Sequence, residues 1–523
     1  MATEICAHRQ PGPADAPVEV VERKGLGHPD TLADALAERM SVAYCLYCQE
    51  NFGAVLHHNL DKLYLRGGHC RTGLGVFEMT APVTLVIGGR VSTSFGGQPI
   101  DHRGLFEQVA RDYLATVLPG FDHGRWLRIE HATTDRSRFP AWFHPRDHDD
   151  LPELASPAAS DTAAVTGWWP HTPVERLALV LERYLNQEGR GPRDPRLGQD
   201  IKIMAIRRDQ HVDVTLNVAV HPLAAPDTAS YDTILTLLHG ELDALTAQTL
   251  GGMLSHRLRL NSGDTNPYRG KRHYLLGSGS CLEFGEEGLV GRGNTPSGLI
   301  PIHRPKSAEA AFGKNPAYHA GKVYALYTEA IARAIHAATS APAAVTIVSR
   351  HSDPLREPAL THVALHADAS LTTAANVTRD VLATTDHAAS AASSNVTSRT
   401  FTSSALPGLR ALTTERPEVS GQRMRDICAA HGVAVVFVEE ITGARASGAT
   451  RWLTPSKALV QLSLRYRTDD HLWFTFFHEI AHVLLHGKKD VWIEGDSPAA
   501  DDPREAEADR FSRDILIPPG AVP

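Results

Sequence analysis

The chain has 523 residues, 60 acidic and 52 basic side chains for a formal net charge of −8, and 42% hydrophobic residues. That length points to two or three domains with a sizeable core, and so mild a charge without a basic block excludes nucleic acid as a partner. No apolar run reaches the ~18 residues of a membrane span, six cysteines are too few for a disulfide framework, and the opening MATEICAHRQPGPADAP carries no signal pattern, so a cytoplasmic protein is expected.

Val18 to Arg23 alternates as a strand, Lys24 to Asp30 is a turn, and Thr31 is positioned to cap a helix whose apolar face is Leu32, Leu36 and Met40. His28 and Asp30 at a helix entrance suit an anionic, metal-bound ligand, although His-Pro-Asp is also an ordinary turn. Cys45 and Cys48, with His69 and Cys70 further on, raise a zinc or redox site; the helical pattern around them favours plain buried cysteines. Asn59 and Asp61 stand at the entry of a short strand, Leu63 to Leu65. Ala81 to Ser94 reads as a strand, Leu105 to Leu118 as an amphipathic helix, and Phe139 to Pro157 as an inserted acidic loop rather than a lid. Asp161 precedes Gly167-Trp168-Trp169-Pro170, and Val174 to Leu185 is a second amphipathic helix. Asp200 and Lys202, two apart on a strand, point to one face, either toward one ligand or as a surface ion pair. A strand at His211 to His221 and a helix at Thr233 to Leu245 follow.

Gly277 to Tyr324 is the most distinctive stretch: nine glycines interleaved with Glu286, Glu287, Arg292, Asn294, Arg304, Lys306, Lys314, His319 and Lys322. Glycines let backbone N–H groups approach a ligand, and basic groups among them suit a polyphosphate. A glycine-rich set of turns is the alternative. Neither a Walker A loop nor a dinucleotide fingerprint is present. Asp386 to Ser404 is an Ala/Ser/Thr-rich linker without apolar period. In WFTFFHEIAHVLLHG beyond it, His478 and His482 share one helix face beside Glu479. Two imidazoles at i and i+4 can chelate Zn²⁺, and the carboxylate can accept a proton from bound water. Glu505 on a following helix offers the third ligand, Asp509 a partner for a histidine, and His486 reads as helix surface.

The segments GEEGLVGRGN and EAAFGKNPAYHAGKVY, with VERKGLGHPDTLAD, HHNLDKLYLRGG, S-D-T and GQDIKI before them, resemble the archaeal-type S-adenosylmethionine synthetase family from about Val18 to about Thr384. The resemblance implies an α+β fold of three β-α-β-β-α-β-like subdomains in pseudo-threefold arrangement. It also implies methionine adenosyltransferase activity: ATP and L-methionine give S-adenosylmethionine, phosphate and pyrophosphate. His28, Lys202, Arg292 and Lys314 would then serve catalysis by neutralising triphosphate. Asp30 and Glu286 would hold Mg²⁺. Asn59, Asp61, Asp161, Asp200, Glu286, Asn294 and His319 would contact substrates. K⁺ and a homodimer follow from the same analogy. Leu60, Lys62, Trp168 and Trp169 depart from the family pattern.

The rest resembles the ImmA/IrrE family of zinc metallopeptidase-like domains, in RWLTPSKALVQLSLRYRTDDHLWFTFFHEIAHVLLHGKK and EAEADRFSRDILIPP. This implies Zn²⁺ on His478, His482 and Glu505, with Glu479 catalytic. That family continues where this chain stops just after Ile517-Pro518-Pro519, so a C-terminally truncated domain that binds zinc and cleaves little is expected. The expected division is 1–384, a linker at 385–404, and 405–523. The alternative function is a zinc metallopeptidase-like regulator with an S-adenosylmethionine-sensing or divergent synthetase module.

Overall fold

The structure is a computed structural model that describes residues 4–154, 156–188, 194–266, 270–307, 309, 311–384, 409–410, 412–414, 417–430, 433–438, 446–454, 457–463, 468–486, 491–495 and 503–517. The linker and Pro518-Pro519 named above lie outside them. The chain divides into two compact units, residues 1–394 and 395–523.

Among its described residues the first unit has six α-helices: α1 (Pro29–Phe52), α2 (His102–Val117), α3 (Pro173–Arg183), α4 (Thr228–Leu250), α5 (Ala320–Thr339) and α6 (Leu371–Thr384). They cover three sheets in pairs, each pair over its own core. Under α1 and α2 lie, in order, Leu127–Thr134, Val83–Val91, Tyr64–Arg66 and Gly288–Leu289. Under α3 and α4 lie Ser255–Leu260, His211–Val220, Leu197–Arg208 and Val18–Lys24, with Ile300–Pro301 added at the edge. Under α5 and α6 lie Glu4–Arg9, Leu360–Leu365, Ala343–Ser349 and Ala163–Trp169. Each sheet repeats one ladder: a parallel edge pair, then two antiparallel pairings. The α+β expectation is met.

The three modules interlock. The strand leading into α1, Val18–Lys24, joins the sheet beneath α3; the strand leading into α3, Ala163–Trp169, joins the sheet beneath α5. Gly288–Leu289, which precedes α5, joins the sheet beneath α1. The exchange is cyclic. It brings the His28 turn, the Asp200 strand and the glycine-rich stretch to the seams between modules.

Local sequence explains the elements. In α3, Thr172 accepts from the N–H of Glu175 at 3.1 Å and the Glu175 carboxylate returns to the N–H of Thr172 at 2.9 Å, a capping box worth about 1 kcal/mol. Gly53 and Gly251 end α1 and α4 in left-handed conformation. Helix α1 begins differently from expectation: His28, not Thr31, is its cap, because the His28 ring accepts the Asp30 N–H. The Phe139–Pro157 segment packs inward through Phe143 and Leu151, and Glu153 pairs with His57 at 2.8 Å. Cys48 is buried and both helix cysteines are free thiols.

In the second unit the sheet runs Val433–Val438, Lys457–Ser463, Ala446–Thr454, Val491–Gly495. Among its described residues the helices are α7 (Pro417–Ala430), α8 (Asp469–Leu485) and α9 (Pro503–Leu516). Trp473, Phe476, Phe477 and Ile480 of α8 pack with Met424 of α7 and Val460 of the sheet. Among the described residues of the chain, no helix is long and apolar enough to cross a membrane.

Candidate active site

Lys24 ends its strand directly opposite Lys202 of the neighbouring strand, so both side chains leave the same face of the sheet. Lys24 Nζ lies 2.9 Å from Asp30 Oδ2, and Lys202 Nζ lies 3.0 Å from Glu22 Oε1. The His28 Nδ1 accepts the Asp30 N–H at 3.2 Å, which leaves the proton of the neutral ring on Nε2. Burial first, then the Lys24 ammonium, hold the His28 imidazole down to about 4, so it is a neutral donor near pH 7.

His28, Asp200, Lys202 and Glu286 line one cleft of about 540 Å³, together with Tyr274 and Cys281. Asp200 is 3% exposed and accepts the Cys281 N–H at 2.9 Å. Burial pushes its carboxyl up to about 7; the Cys281 bonds pull it down, and Glu286 pushes it further up. Glu286 itself is exposed. A dication in this cleft would offset the charge that Glu286 places beside the buried Asp200, and carboxylate oxygen is the donor Mg²⁺ prefers. Asp30 does not line this cleft. Its Oδ1 accepts the Leu289 N–H at 3.1 Å while Oδ2 faces Lys24.

A second cavity, about 440 Å³, is lined by Trp168, Asn294, Lys306 and Phe312 among others. The Asn294 amide clamps the Lys24 main chain, accepting its N–H at 3.0 Å and donating to its carbonyl at 2.8 Å. Trp168 turns its indole N–H to Glu175 at 3.2 Å, and Arg333 lies 3.5 Å over the Trp169 ring. Arg292 is exposed on the loop beside them.

The remaining expected residues form a third group. Asn59 and Lys314 pair through their main chains. Lys314 Nζ binds Glu309 and sits 3.8 Å from Asp61 Oδ2, and Lys62, one of the departures, takes Asp61 Oδ2 at 2.7 Å. Burial first, then Lys314, hold the His319 ring down to about 4, while Glu309, Asp61 and Asp161 pull it up. Among the described residues Asn59 Oδ1 and His319 Nδ1 are buried without a hydrogen-bond partner, a cost that a ligand in this corner would remove. Asp161 is exposed and accepts the Thr162 N–H at 2.7 Å.

Sequence reasoning missed the other face of α1. Asp30, Asp34 and Glu38 lie four apart, and each accepts a main-chain N–H from the glycine-rich stretch: Leu289 at 3.1 Å, Gly291 and Gly293 at 2.7 and 3.1 Å, Gly313 at 3.1 Å. Glu38 also binds Lys322, itself 1% exposed. Glu182, fully buried, takes Arg23 at 2.5 Å and the Leu26 N–H at 3.2 Å, fixing the turn before His28. The i, i+4, i+8 spacing of the three acids was the available signal.

In the second unit, His478, His482 and Glu505 place one ligand atom each within 4.8 Å of the others. His478 Nε2 is 3.0 Å from Glu505 Oε2 while its Nδ1 is 2.9 Å from Asp509 Oδ1. That leaves Nε2 as the nitrogen that could hold a metal, with Asp509 placed to orient the ring. Glu479 is fully buried, and a Cβ on Gly448 would meet its Oε1 at 2.4 Å, so the facing strand needs glycine there. The donor set fits Zn²⁺: two imidazoles, one carboxylate and a neighbouring acid. His486, expected on the helix surface, instead tucks in, its Nδ1 2.8 Å from His482 Nδ1 and its side chain 3% exposed, because α8 ends there and the ring folds back over the preceding turn.

Residues 3–398 match the S-adenosylmethionine synthetase (AdoMet synthetase) family, and residues 431–521 match the IrrE N-terminal-like domain. An uncharacterized protein of Streptococcus pyogenes serotype M3 is 33% identical over 369 residues, 69% of this chain and 88% of its own. The S-adenosylmethionine synthase of Caldivirga maquilingensis is 34% identical over 339 residues, 63% of this chain and 80% of its own. That of Haloarcula marismortui is 32% identical over 400 residues, 73% and 94%.

Proposed function

Because the chain belongs to the S-adenosylmethionine synthetase family, we propose that residues 1–384 are a methionine adenosyltransferase, forming S-adenosylmethionine from ATP and L-methionine with release of phosphate and pyrophosphate. The observation that most supports this is the convergence of His28, Asp200, Lys202 and Glu286 on one cleft from strands and loops of different modules. The thioether sulfur attacks C5′ of ATP and triphosphate leaves; water then cleaves a P–O–P bond of the triphosphate to give phosphate and pyrophosphate. The sulfur carries no proton, so the step needs no base; it needs charge on the leaving triphosphate to be matched. In this reading neutral His28 donates its Nε2–H to a phosphate oxygen, and Lys202, Arg292 and Lys314 supply fixed positive charge. Glu286, with Asp200 beside it in the cleft, would hold Mg²⁺, which when bound offsets phosphate charge; Asp30, outside that cleft and bonded to Lys24 and the Leu289 N–H, would join them only by turning its carboxylate from those partners. Asp161 faces the methionine ammonium, and Asn59, Asp61, Asn294 and His319 complete the substrate surround. K⁺, a homodimer and a cytoplasmic location belong to the same family reading. Purified full chain with ATP, methionine, Mg²⁺ and K⁺ is expected to yield the sulfonium product with phosphate and pyrophosphate; ATP hydrolysis without it would overturn the assignment.

A second reading applies to residues 405–523, joined through 385–404, and the His478, His482, Glu505 cluster favours it. Those three residues would hold Zn²⁺, which would acidify a water there, and Glu479 beside them would take its proton. Whether its output is peptide cleavage or a regulatory contact linked to S-adenosylmethionine is decided by assaying the zinc-loaded chain on unfolded polypeptide: cleavage lost in Glu479→Gln supports a peptidase, and none supports a regulatory unit.

A further inference from the structure

Asp34 sits one turn beyond Asp30 on α1 and is 2% exposed. Where Asp30 and Glu38 each take a lysine as well as an N–H, the hydrogen bonds of Asp34 go to the two N–H groups on either side of Arg292. Oδ1 accepts from Gly291 at 2.7 Å and Oδ2 from Gly293 at 3.1 Å. Gly293 is tight against it: a Cβ there would lie 2.2 Å from Asp34 Oδ2. The neighbouring links are fixed too. Asp30 holds the Leu289 N–H, Lys24 Nζ donates to the Arg292 carbonyl at 2.6 Å, and Asn294 grips the Lys24 main chain. The loop backbone from 289 to 294 is therefore tied to α1 and to the strand before it, while the Arg292 side chain is exposed.

A buried carboxylate is costly unless its oxygens are satisfied. Here burial, with Asp30 adding to it, holds the Asp34 carboxyl up at about 8 even though the N–H groups of Gly291 and Gly293 pull it down. An apolar side chain would fill the same space at less cost, so the acid is there for the two N–H groups. We propose that Asp34 is a positioning residue that aims Arg292, locking the peptide on each side of it so that the guanidinium leaves the loop in one direction. The inference rests on the adenosyltransferase reading for its kinetic consequence, since a cation aimed at developing charge acts in the transition state.

The test uses the full chain as wild type, Asp34→Asn, Arg292→Ala and the double variant. Asparagine keeps the shape but offers one acceptor, turning its NH₂ against the other N–H. Asp34→Asn is expected to lower kcat about 10- to 100-fold while KM for ATP moves less than about threefold. The double variant should be no worse than Arg292→Ala alone, because a residue acting through Arg292 has nothing left to aim. Amide exchange across residues 288–296 should quicken in Asp34→Asn. A kcat within about twofold of wild type, or effects that multiply in the double variant, would overturn the proposal. If the wild type forms no product, the activity reading fails while the exchange comparison still decides the positioning: unchanged exchange refutes it. Should Asp34→Asn not fold, Gly293→Ala, which drives a methyl into the same carboxylate, is expected to give the same kinetic pattern, and wild-type kcat there refutes the aim.

Discussion

At the scale of single residues, two ionisations set how the cleft answers to pH. Asp200 is pushed up to about 7 in the folded chain against an ordinary 3.8. Between those values the native state binds a proton that the unfolded chain has released. Stability therefore falls as pH rises from about 4 to about 7, by at most about 1.4 kcal/mol per pH unit for one proton. Binding of Mg·ATP runs the other way, since only the anion suits a cation, and is expected to strengthen up to pH 8. Asp200→Asn should flatten both trends; urea midpoints and nucleotide affinities at pH 5, 6, 7 and 8 would show it. A wild-type stability that rises across this window would contradict the burial argument. His28, held near 4, should contribute no limb of its own between pH 6 and 9.

At the scale of elements, α1 is the member on which the glycine-rich stretch is hung. Its Glu38 and Lys322 form a pair in which the partners are 0% and 1% exposed. Removing one charge strands the other, at about 3–5 kcal/mol. Glu38→Gln should lower the unfolding free energy by that amount, and Glu38→Gln with Lys322→Met should recover much of it. A loss below about 1 kcal/mol would mean the pair is not buried as described. Helix α8 makes a comparable case for metal. Elemental analysis should find zinc near one equivalent in the wild type and far less in His482→Ala and Glu505→Ala; equal content in all three would remove the site. Motifs made much of this legible beforehand. His28, Asp200, Lys202 and Glu286 sit in blocks whose residue types already state their chemistry. Asp34 and Glu38 escaped because the apolar face, Leu32, Leu36 and Met40, accounts for α1 without them, and an acid on a helix reads as solvated until its burial is known. His486 escaped because its inward turn depends on where α8 ends.

At the scale of the whole molecule, the cyclic exchange of strands between the three modules is what assembles the cleft. Alternation within each strand was readable; partner choice was not, because Gly288–Leu289 pairs with Tyr64–Arg66, more than two hundred residues earlier. Interlocking predicts that residues 1–384 unfold as one cooperative body. Proteolysis is expected to cut first between Asp386 and Ser404 and release two stable pieces; resistance there, with a single transition for both, would contradict the division. The central claim is the sulfur attack on C5′, and one measurement meets it directly. Full chain is incubated with Mg·ATP, K⁺ and methyl-labelled methionine, and the products are resolved by mass. The account predicts a labelled adenosyl sulfonium formed in equal amount with pyrophosphate, and its loss in Lys202→Ala. ATP consumed with the label remaining in methionine would contradict it.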